Sequence, residues 1–528
     1  MRSMRAKTWA AALALLQSLP ALAQPPAAPV RIEVQANASG PKINRDIFGQ
    51  FAEHLGTGIY GGVWVGPDSP IPNVRGIRSD VVQALRAIKV PNVRWPGGCF
   101  ADEYHWREGI GPAAKRPARL NASWGGVIEP NSFGTHEFMD FVDQLGADVF
   151  LSVNVGSGTV QEGADWLEYL TANKPTSLEK ERVANGHPAP YKIKYLGLGN
   201  ENWACGGAMS ADHYVEEMKR YAHYMRNLNP AQTGEGAMKR VAVGWDSGND
   251  DYTEAVMKAW KNKNWAWDIE GVSLHGYTIP NTWEKKGPSV GFGEDEYAKG
   301  IKATLKMKEW IAKQTAIMDR YDPEKKLGLY VDEWGIWVDP NPGSNPSFLQ
   351  QQNTIRDAVI AALNLDLFMR NADRIHGTNI AQMVNVLQAM ILTDGPKMLL
   401  TPTYHVYRMY VPFHDAIGVP VSFDAGTYAH GDINLPRVDA IAARDKSGKL
   451  WLALVNVDPN RATKVSAALA GVKATYAKGE ILTAAAVDAH NSFERASDVA
   501  PKPFSGRASG GQLQFDLPPK AIAVVEVR

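Results

Sequence analysis

KYLGLGNE (residues 194–201) is an apolar run that stops at an acid flanked by asparagines. Its length, and the polar residues that end it, read as a buried strand. An acid at the end of such a strand gives up hydration, so the local structure has to compensate it. Seven further runs share this texture: IFGQFAEH (47–54), VPNVRWPGG (90–98), DVFLSVNVG (148–156), RVAVGWDSG (240–248), IEGVSLHGY (269–277), LGLYVDEWG (327–335) and HGTNIAQMVNV (376–386). Between them lie stretches such as SDVVQALRAIK (79–89), THEFMDFVDQLG (135–146), SADHYVEEMKRYAHYMRNLNP (210–230) and NTIRDAVIAALNLDLFMRNA (353–372). There the apolar residues recur every three or four positions, the period of a helix. Strands alternating with helices predict parallel pairing, because each connection is long enough to hold a helix. Eight is the number that closes a (β/α)8 TIM barrel. A doubly wound open sheet is the alternative, but no Gly-rich phosphate loop opens the first helix.

After about residue 395 the texture changes. WLALVNVD, AKGEILTAAAV, GQLQFDL and AIAVVEVR are short strand-like runs separated by Gly, Pro, Asn and Asp, the pattern of an antiparallel β-sandwich. The early run VRIEVQA (30–36) precedes the barrel and is expected to add a strand to that sandwich. The expected organisation is therefore a signal peptide over 1–23, a spacer and joining strand over 24–41, a barrel over 42–394 and a sandwich over 395–528. The N-terminus supports the first of these: Arg2, Arg5 and Lys7 precede a short apolar stretch that ends in Ala21-Leu22-Ala23. That is the layout of a secretory leader with a small-residue cleavage site, and it predicts a periplasmic or secreted protein with no membrane anchor after cleavage.

The 528 residues carry 56 basic and 56 acidic groups. Without the leader the balance is 53 against 56, a net charge of −3, which argues against a nucleic-acid partner. Cys99 and Cys205 are the only cysteines. Two cannot build a zinc site, but in an oxidising compartment they can pair with each other or stay as buried thiols. Neither a metal nor an organic cofactor is expected.

A (β/α)8 barrel builds its site at the C-terminal strand ends. Strand 4 ends in Asn200-Glu201 and strand 7 in Asp332-Glu333-Trp334. Strand 1 ends in Glu53-His54, strand 2 in Gly97-Gly98-Cys99 and strand 6 in His275-Gly276-Tyr277, while strand 8 carries Gln382 and Asn385. Two glutamates facing each other across a barrel mouth are the constellation that glycoside hydrolysis requires. One carboxyl protonates the leaving oxygen, and the other attacks the anomeric carbon or activates water. Asp332 competes with Glu333, although successive strand residues point to opposite faces. The alternative for either glutamate is an ion pair at the rim. Trp203 and Trp337 are candidate platforms for sugar faces, and His54 and His275 are candidate supporting donors.

FGQFAEHLGTGIYGG, VRWPGGCFADEYHWREGIGP, NSFGTHEFMDF, LGLGNENWACGG, SLHGYT, VDEWGIW and AQMVNV occur in this order. Together they resemble the family 51 glycoside hydrolases, the retaining α-L-arabinofuranosidases, over nearly the whole chain. The resemblance implies Glu201 as general acid/base and Glu333 as nucleophile. It implies that Asn200, Glu53 and Gln382 contact the sugar and that Tyr277 holds the nucleophile. The substrate would be arabinose-substituted glycan such as hemicellulose, and similar enzymes often assemble as trimers or hexamers. Cys99 occupies a position where many relatives carry asparagine, so a pocket contact there is expected from its backbone. NENWACGG also departs from the common NEMDGPWQ-like form, which predicts a different leaving-group side. Two rival readings are an endo-β-1,4-glucanase or β-xylosidase of the same fold, and a glycan-binding protein without turnover.

Overall fold

The computed structural model describes residues 29–245 and 250–528. The expected leader, most of the spacer and the end of the fifth strand-like run lie outside the described residues.

Eight parallel strands close into a barrel. In chain order they are β1 (Gly49–Phe51), β2 (Asn92–Trp95), β3 (Asp148–Val153), β4 (Tyr195–Leu198), β5 (Lys239–Ala242), β6 (Gly271–Thr278), β7 (Gly328–Ile336) and β8 (Ile375–Ile380). Each pairs with its sequence neighbours, and β8 closes on β1 through Asn379 opposite Gly49. All eight overlap the runs read from the sequence, and β5, β6, β7 and β8 each extend one residue beyond theirs. The strands are buried on both faces, as a parallel sheet covered by helices requires. Phe150, Tyr195, Val241 and Tyr330, from four different strands, pack as one cluster. Gly271 makes room for it, because a Cβ there would lie 2.3 Å from the Tyr330 ring.

The helices obey ordinary capping rules. The helix over Ala211–Tyr224 begins where the Ser210 side chain accepts from His213 N–H. The helix over Ile355–Arg370 has a capping box in which the Thr354 N–H donates to Asp357. The helix over Thr135–Leu145 stops at Gly146, whose φ of 71° is left-handed.

A helix over Pro402–Tyr410 falls inside the stretch assigned to the sandwich. Thr401 caps it, Pro402 opens it, and it packs on the helix over Ile355–Arg370. It belongs physically to the outer layer of the barrel, and the first sheet strand beyond it starts at Ile417.

Ten strands then hydrogen-bond in one continuous order. Ile417–Val419 and Val421–Phe423 sit at opposite ends of that order although one residue separates them. The sheet therefore curls back on itself, and two layers face each other over one core that includes both Val30 and Val419. The pairing is antiparallel except where Val30–Val34 lies parallel to Thr463–Leu469. The strand over Ala521–Val527 joins this unit to the barrel. Ala521, Ala523 and Val525 face the sheet core, whereas Ile522 and Val524 belong to the barrel core, the period-two alternation of a strand buried on both sides.

Candidate active site

The strand ends open into one cavity of about 720 Å3. Glu53, Cys99, Asn200, Glu201, Tyr277, Glu333, Trp337 and Gln382 all line it, together with Trp124, Trp203 and Trp283. Every site residue singled out from the sequence as catalytic or substrate-binding is thus on this one surface. His54 is not. Its Nδ1 meets Glu129 at 2.8 Å and its Nε2 accepts from Trp95 at 3.2 Å, inside an aromatic cluster behind the site.

Glu333 lies near the C-terminal end of β7 with its side chain 8% exposed, whereas Glu201, just past β4, is 19% exposed. One acid is sunk and the other stands nearer the rim. A carboxylate oxygen of each lies within 4.8 Å of one of the other's. Glu333 Oε1 accepts from Arg94 Nη1 at 2.8 Å and its Oε2 from the Tyr277 hydroxyl at 2.8 Å. Burial, reinforced by the Glu333 charge, pushes the Tyr277 phenol far above its ordinary pKa, so the hydroxyl remains a donor.

Asp332 does not line the cavity. It lies 3.4 Å from Arg94 Nε and 3.3 Å from His275 Nε2, so it supports two cations from behind. The β6–β7 register shifts between Ser273 and His275, and this irregularity lets one histidine reach both acids of the Asp332-Glu333 pair. Burial works against a charged His275. Even so, Glu333, Asp332 and the hydrogen bonds to Asp332 and Glu201 raise its pKa well above the ordinary imidazole value. Its Nδ1 lies 2.7 Å from Glu201 Oε1. Glu201, His275 and Glu333 bring three oxygen or nitrogen atoms to metal-like spacing. Arg94 already meets Glu333 Oε1 of this group at 2.8 Å.

Glu53 forms part of the cavity wall. Its Oε1 accepts from Gly98 N–H, Phe100 N–H and Trp124 Nε1–H, and its Oε2 accepts from Gln382 Nε2–H at 2.8 Å. Burial, helped by Glu333, lifts its pKa to about 7 against these donors. Gln382 lies beyond the end of β8 rather than within it, after the cis Ala381–Gln382 peptide. Asn385, also read as part of strand 8, ties loops together: its side chain donates to Thr57 O and Thr393 Oγ1 and accepts from Thr393 N–H. Cys99 and Cys205 are joined as a disulfide, so Cys99 has no thiol to offer a ligand.

Two supporting residues were quoted in the motifs without a role. Arg94 projects from β2, is 1% exposed, and donates Nη2 to Asn200 Oδ1 at 2.7 Å while holding Glu333. The signal was available: a cation within a four-residue strand that is buried throughout needs an anion inside the barrel. Asp102 accepts from Val155 N–H and Gly156 N–H through Oδ1, and from Asn200 N–H through Oδ2. It thereby fixes the main chain that carries Asn200 and Glu201. Trp124, in a hairpin over residues 119–129, gave no sequence signal.

Burial raises the pKa of Asp102 to about 7 against its three backbone donors. A raised carboxyl holds its proton more tightly folded than unfolded. The resulting stability is present below pH 3.8, the ordinary value for Asp, and is lost as pH rises to about 7. Asp102→Asn removes that titration, so the fall in Tm between pH 4 and pH 8 should be smaller in the variant. Calorimetry on both proteins checks this. The variant should also lose kcat/KM, because one amide oxygen cannot serve Asn200 and the Val155–Gly156 pair together.

A closed parallel barrel with two opposed carboxylates at its C-terminal mouth defines a barrel glycoside hydrolase. Residues 84–238 match the pattern described as Alpha-L-arabinofuranosidase 1 domain, and residues 332–521 match Alpha-L-arabinofuranosidase C-terminal domain. The chain is 42% identical over 499 residues to a Bacteroides ovatus protein named intracellular exo-alpha-L-arabinofuranosidase, covering 94% of this chain and 95% of that one. The crystal structure of the GH51 arabinofuranosidase from Xanthomonas axonopodis pv. citri is 47% identical with a TM-score of 0.91, covering 95% and 100% of the two chains. An arabinose complex of the Thermotoga maritima alpha-L-arabinofuranosidase follows at 29% identity and a TM-score of 0.82, covering 94% and 99%. The chain belongs to the family 51 glycoside hydrolases, the α-L-arabinofuranosidases.

Proposed function

We propose that the protein is a retaining, exo-acting α-L-arabinofuranosidase that removes terminal α-L-arabinofuranosyl groups from hemicellulose side chains or arabino-oligosaccharides. The observation that carries this reading is the Glu201–Glu333 pair, with oxygens within 4.8 Å across a cavity. Retaining enzymes hold their carboxyl groups at about 5–5.5 Å, and inverting ones leave a wider gap for water.

In the first step the Glu333 carboxylate attacks the anomeric carbon while Glu201 gives its proton to the glycosidic oxygen. The bond to the leaving group breaks and a glycosyl ester forms. In the second step Glu201 takes a proton from water, the water oxygen bonds to the same carbon, and the ester to Glu333 is cleaved. Arg94 and Tyr277 aim the Glu333 oxygens. Asn200, Glu53 and Gln382 read the sugar hydroxyls, and Trp337 offers a ring face at the mouth, set 5.1 Å from the Tyr277 ring. Cys99 lines the wall as one half of the disulfide.

The test is product analysis. Incubation with arabinoxylan and branched arabinan should release free arabinose and leave the backbones at their original length. Internal cuts in a soluble glucan, or xylose released from an aryl β-xyloside with the arabinoside untouched, would overturn the substrate. Tight arabinan binding without release would overturn the enzymatic reading.

Export to the periplasm or exterior rests on the leader-like residues 1–23 and on the Cys99–Cys205 disulfide, a bond that persists in oxidising compartments. Among the described residues no helix is long and apolar enough to cross a membrane. A mature N-terminus beginning near Gln24 would support export; an intact Met1 in the cell lysate would contradict it. Assembly into a trimer or hexamer is proposed from the family resemblance alone, and light scattering measures it.

A further inference from the structure

The disulfide joins two turns that each hold one acid of the site. Cys99 starts the turn after β2, and Cys205 closes the turn after β4, 106 residues later. On the first side, Gly98 is pressed against the nucleophile: a Cβ there would lie 2.7 Å from Glu333 Oε1. The backbone N–H groups of Gly98 and Phe100 hold Glu53. On the second side the chain wraps round the acid. Ala204 N–H and Gly206 N–H both donate to the Glu201 carbonyl, and Glu201 itself sits at φ 39°, in the left-handed region that non-glycine residues rarely adopt.

A short turn that puts a non-glycine residue at positive φ is held by its surroundings. Its own hydrogen bonds fix the turn internally, while Asp102 and the sulfur bridge tie it to the opposite wall. The bridge is the covalent one of these ties, and it starts next to the peptide that touches Glu333.

We propose that the Cys99–Cys205 bridge is a positioning crosslink that holds Glu201 at its working distance from Glu333, so that proton donation to the leaving group depends on an oxidised cysteine pair. This rests on the acid/base role of Glu201 given above. Cys205 is exposed, so a dithiol in solution can reach it. Thiol–disulfide exchange would leave two protein thiols and convert the dithiol into its cyclic disulfide. The reduced enzyme keeps its nucleophile, Arg94 and Tyr277, and loses only the alignment of the acid.

A loss of this kind has a signature that general loosening lacks. The first step needs the acid when the leaving group is an alcohol, and hardly needs it when the leaving group is a dinitrophenolate. The experiment measures kcat/KM on a methyl and on a dinitrophenyl α-L-arabinofuranoside. The proteins are the oxidised enzyme, the enzyme reduced with dithiothreitol and titrated to two thiols per chain, and Cys205→Ser; Glu201→Ala runs alongside. The expected result is a drop of about tenfold or more on the methyl glycoside and less than about twofold on the dinitrophenyl one, in both reduced enzyme and variant. Azide, which attacks the glycosyl enzyme without base assistance, should restore kcat on the dinitrophenyl substrate. Equal losses on both substrates, or no loss after full reduction, would overturn the crosslink proposal. If Glu201→Ala separates the substrates and Cys205→Ser does not, the crosslink alone fails. If Glu201→Ala fails to separate them, the acid assignment falls, and the crosslink with it.

Discussion

Glu333→Ala is expected to abolish turnover on every glycoside, lowering kcat by about 10⁴-fold or more. Glu53, in the same cavity wall, has both oxygens held by Gly98, Phe100, Trp124 and Gln382. Asp332, the preceding residue in the chain, is held between Arg94 and His275 and does not line the cavity. In the proposed mechanism Glu201 serves the leaving oxygen on the other side. The variant also leaves Arg94 without its 2.8 Å partner in a buried setting, so some loss of stability should accompany the loss of rate. Azide supplies the check. It fits the space vacated by the carboxylate and displaces an activated leaving group directly, giving a glycosyl azide of inverted configuration. Asp332→Asn, by contrast, should slow the reaction without abolishing it, because its two contacts are to supporting cations. If Glu333→Ala retains wild-type turnover and Asp332→Asn has none, the two acids have been assigned the wrong way round.

Glu201→Ala should divide substrates by leaving group. On arabinosides of poor leaving groups kcat/KM should fall by about 10²–10⁴-fold, the usual contribution of a positioned acid. On dinitrophenyl arabinoside it should stay within about tenfold, since a good leaving group departs without a proton. The second step still needs a base, so kcat on the good substrate falls and azide raises it again. Comparable losses on both substrates would contradict the acid role. His275 is expected to behave differently. It touches Glu201 at 2.7 Å and also Asp332 and Glu333, so its removal should disturb both steps and separate the substrates poorly.

The barrel was legible because each β strand is a short apolar run and each connection carries a helical period. These are local signals, and the eight runs located all eight strands to within a few residues. The helix over Pro402–Tyr410 was hidden because TPTYHVYRMY is aromatic and short, and its helical state is fixed by packing on the helix over Ile355–Arg370. The site divides in the same way. Residues near the C-terminal ends of strands, such as Glu201, Tyr277 and Glu333, could be listed once the barrel was read. Arg94 offered only the hint of a cation in an apolar strand, and Asp102 none, because their partners come from elsewhere in the fold: Glu333 and Asn200 for one, and three backbone N–H groups from two loops for the other. The cysteine pair was an open alternative for the same reason, since only closure of the barrel brings residues 106 apart into contact. Gln382 and Asn385 were assigned to strand 8, but the strand ends at Ile380, and the two side chains serve different loops.

The most direct measurement is peptide mass mapping after treatment with a fluorinated, mechanism-based inactivator of α-L-arabinofuranosyl configuration. A stable glycosyl ester should form with one equivalent per chain, and fragmentation should place it on Glu333 within the peptide that contains VDEW. An adduct on Asp332 or Glu201, or complete turnover of the reagent without any adduct, would contradict two acids meeting over one sugar carbon with Glu333 as the attacking group.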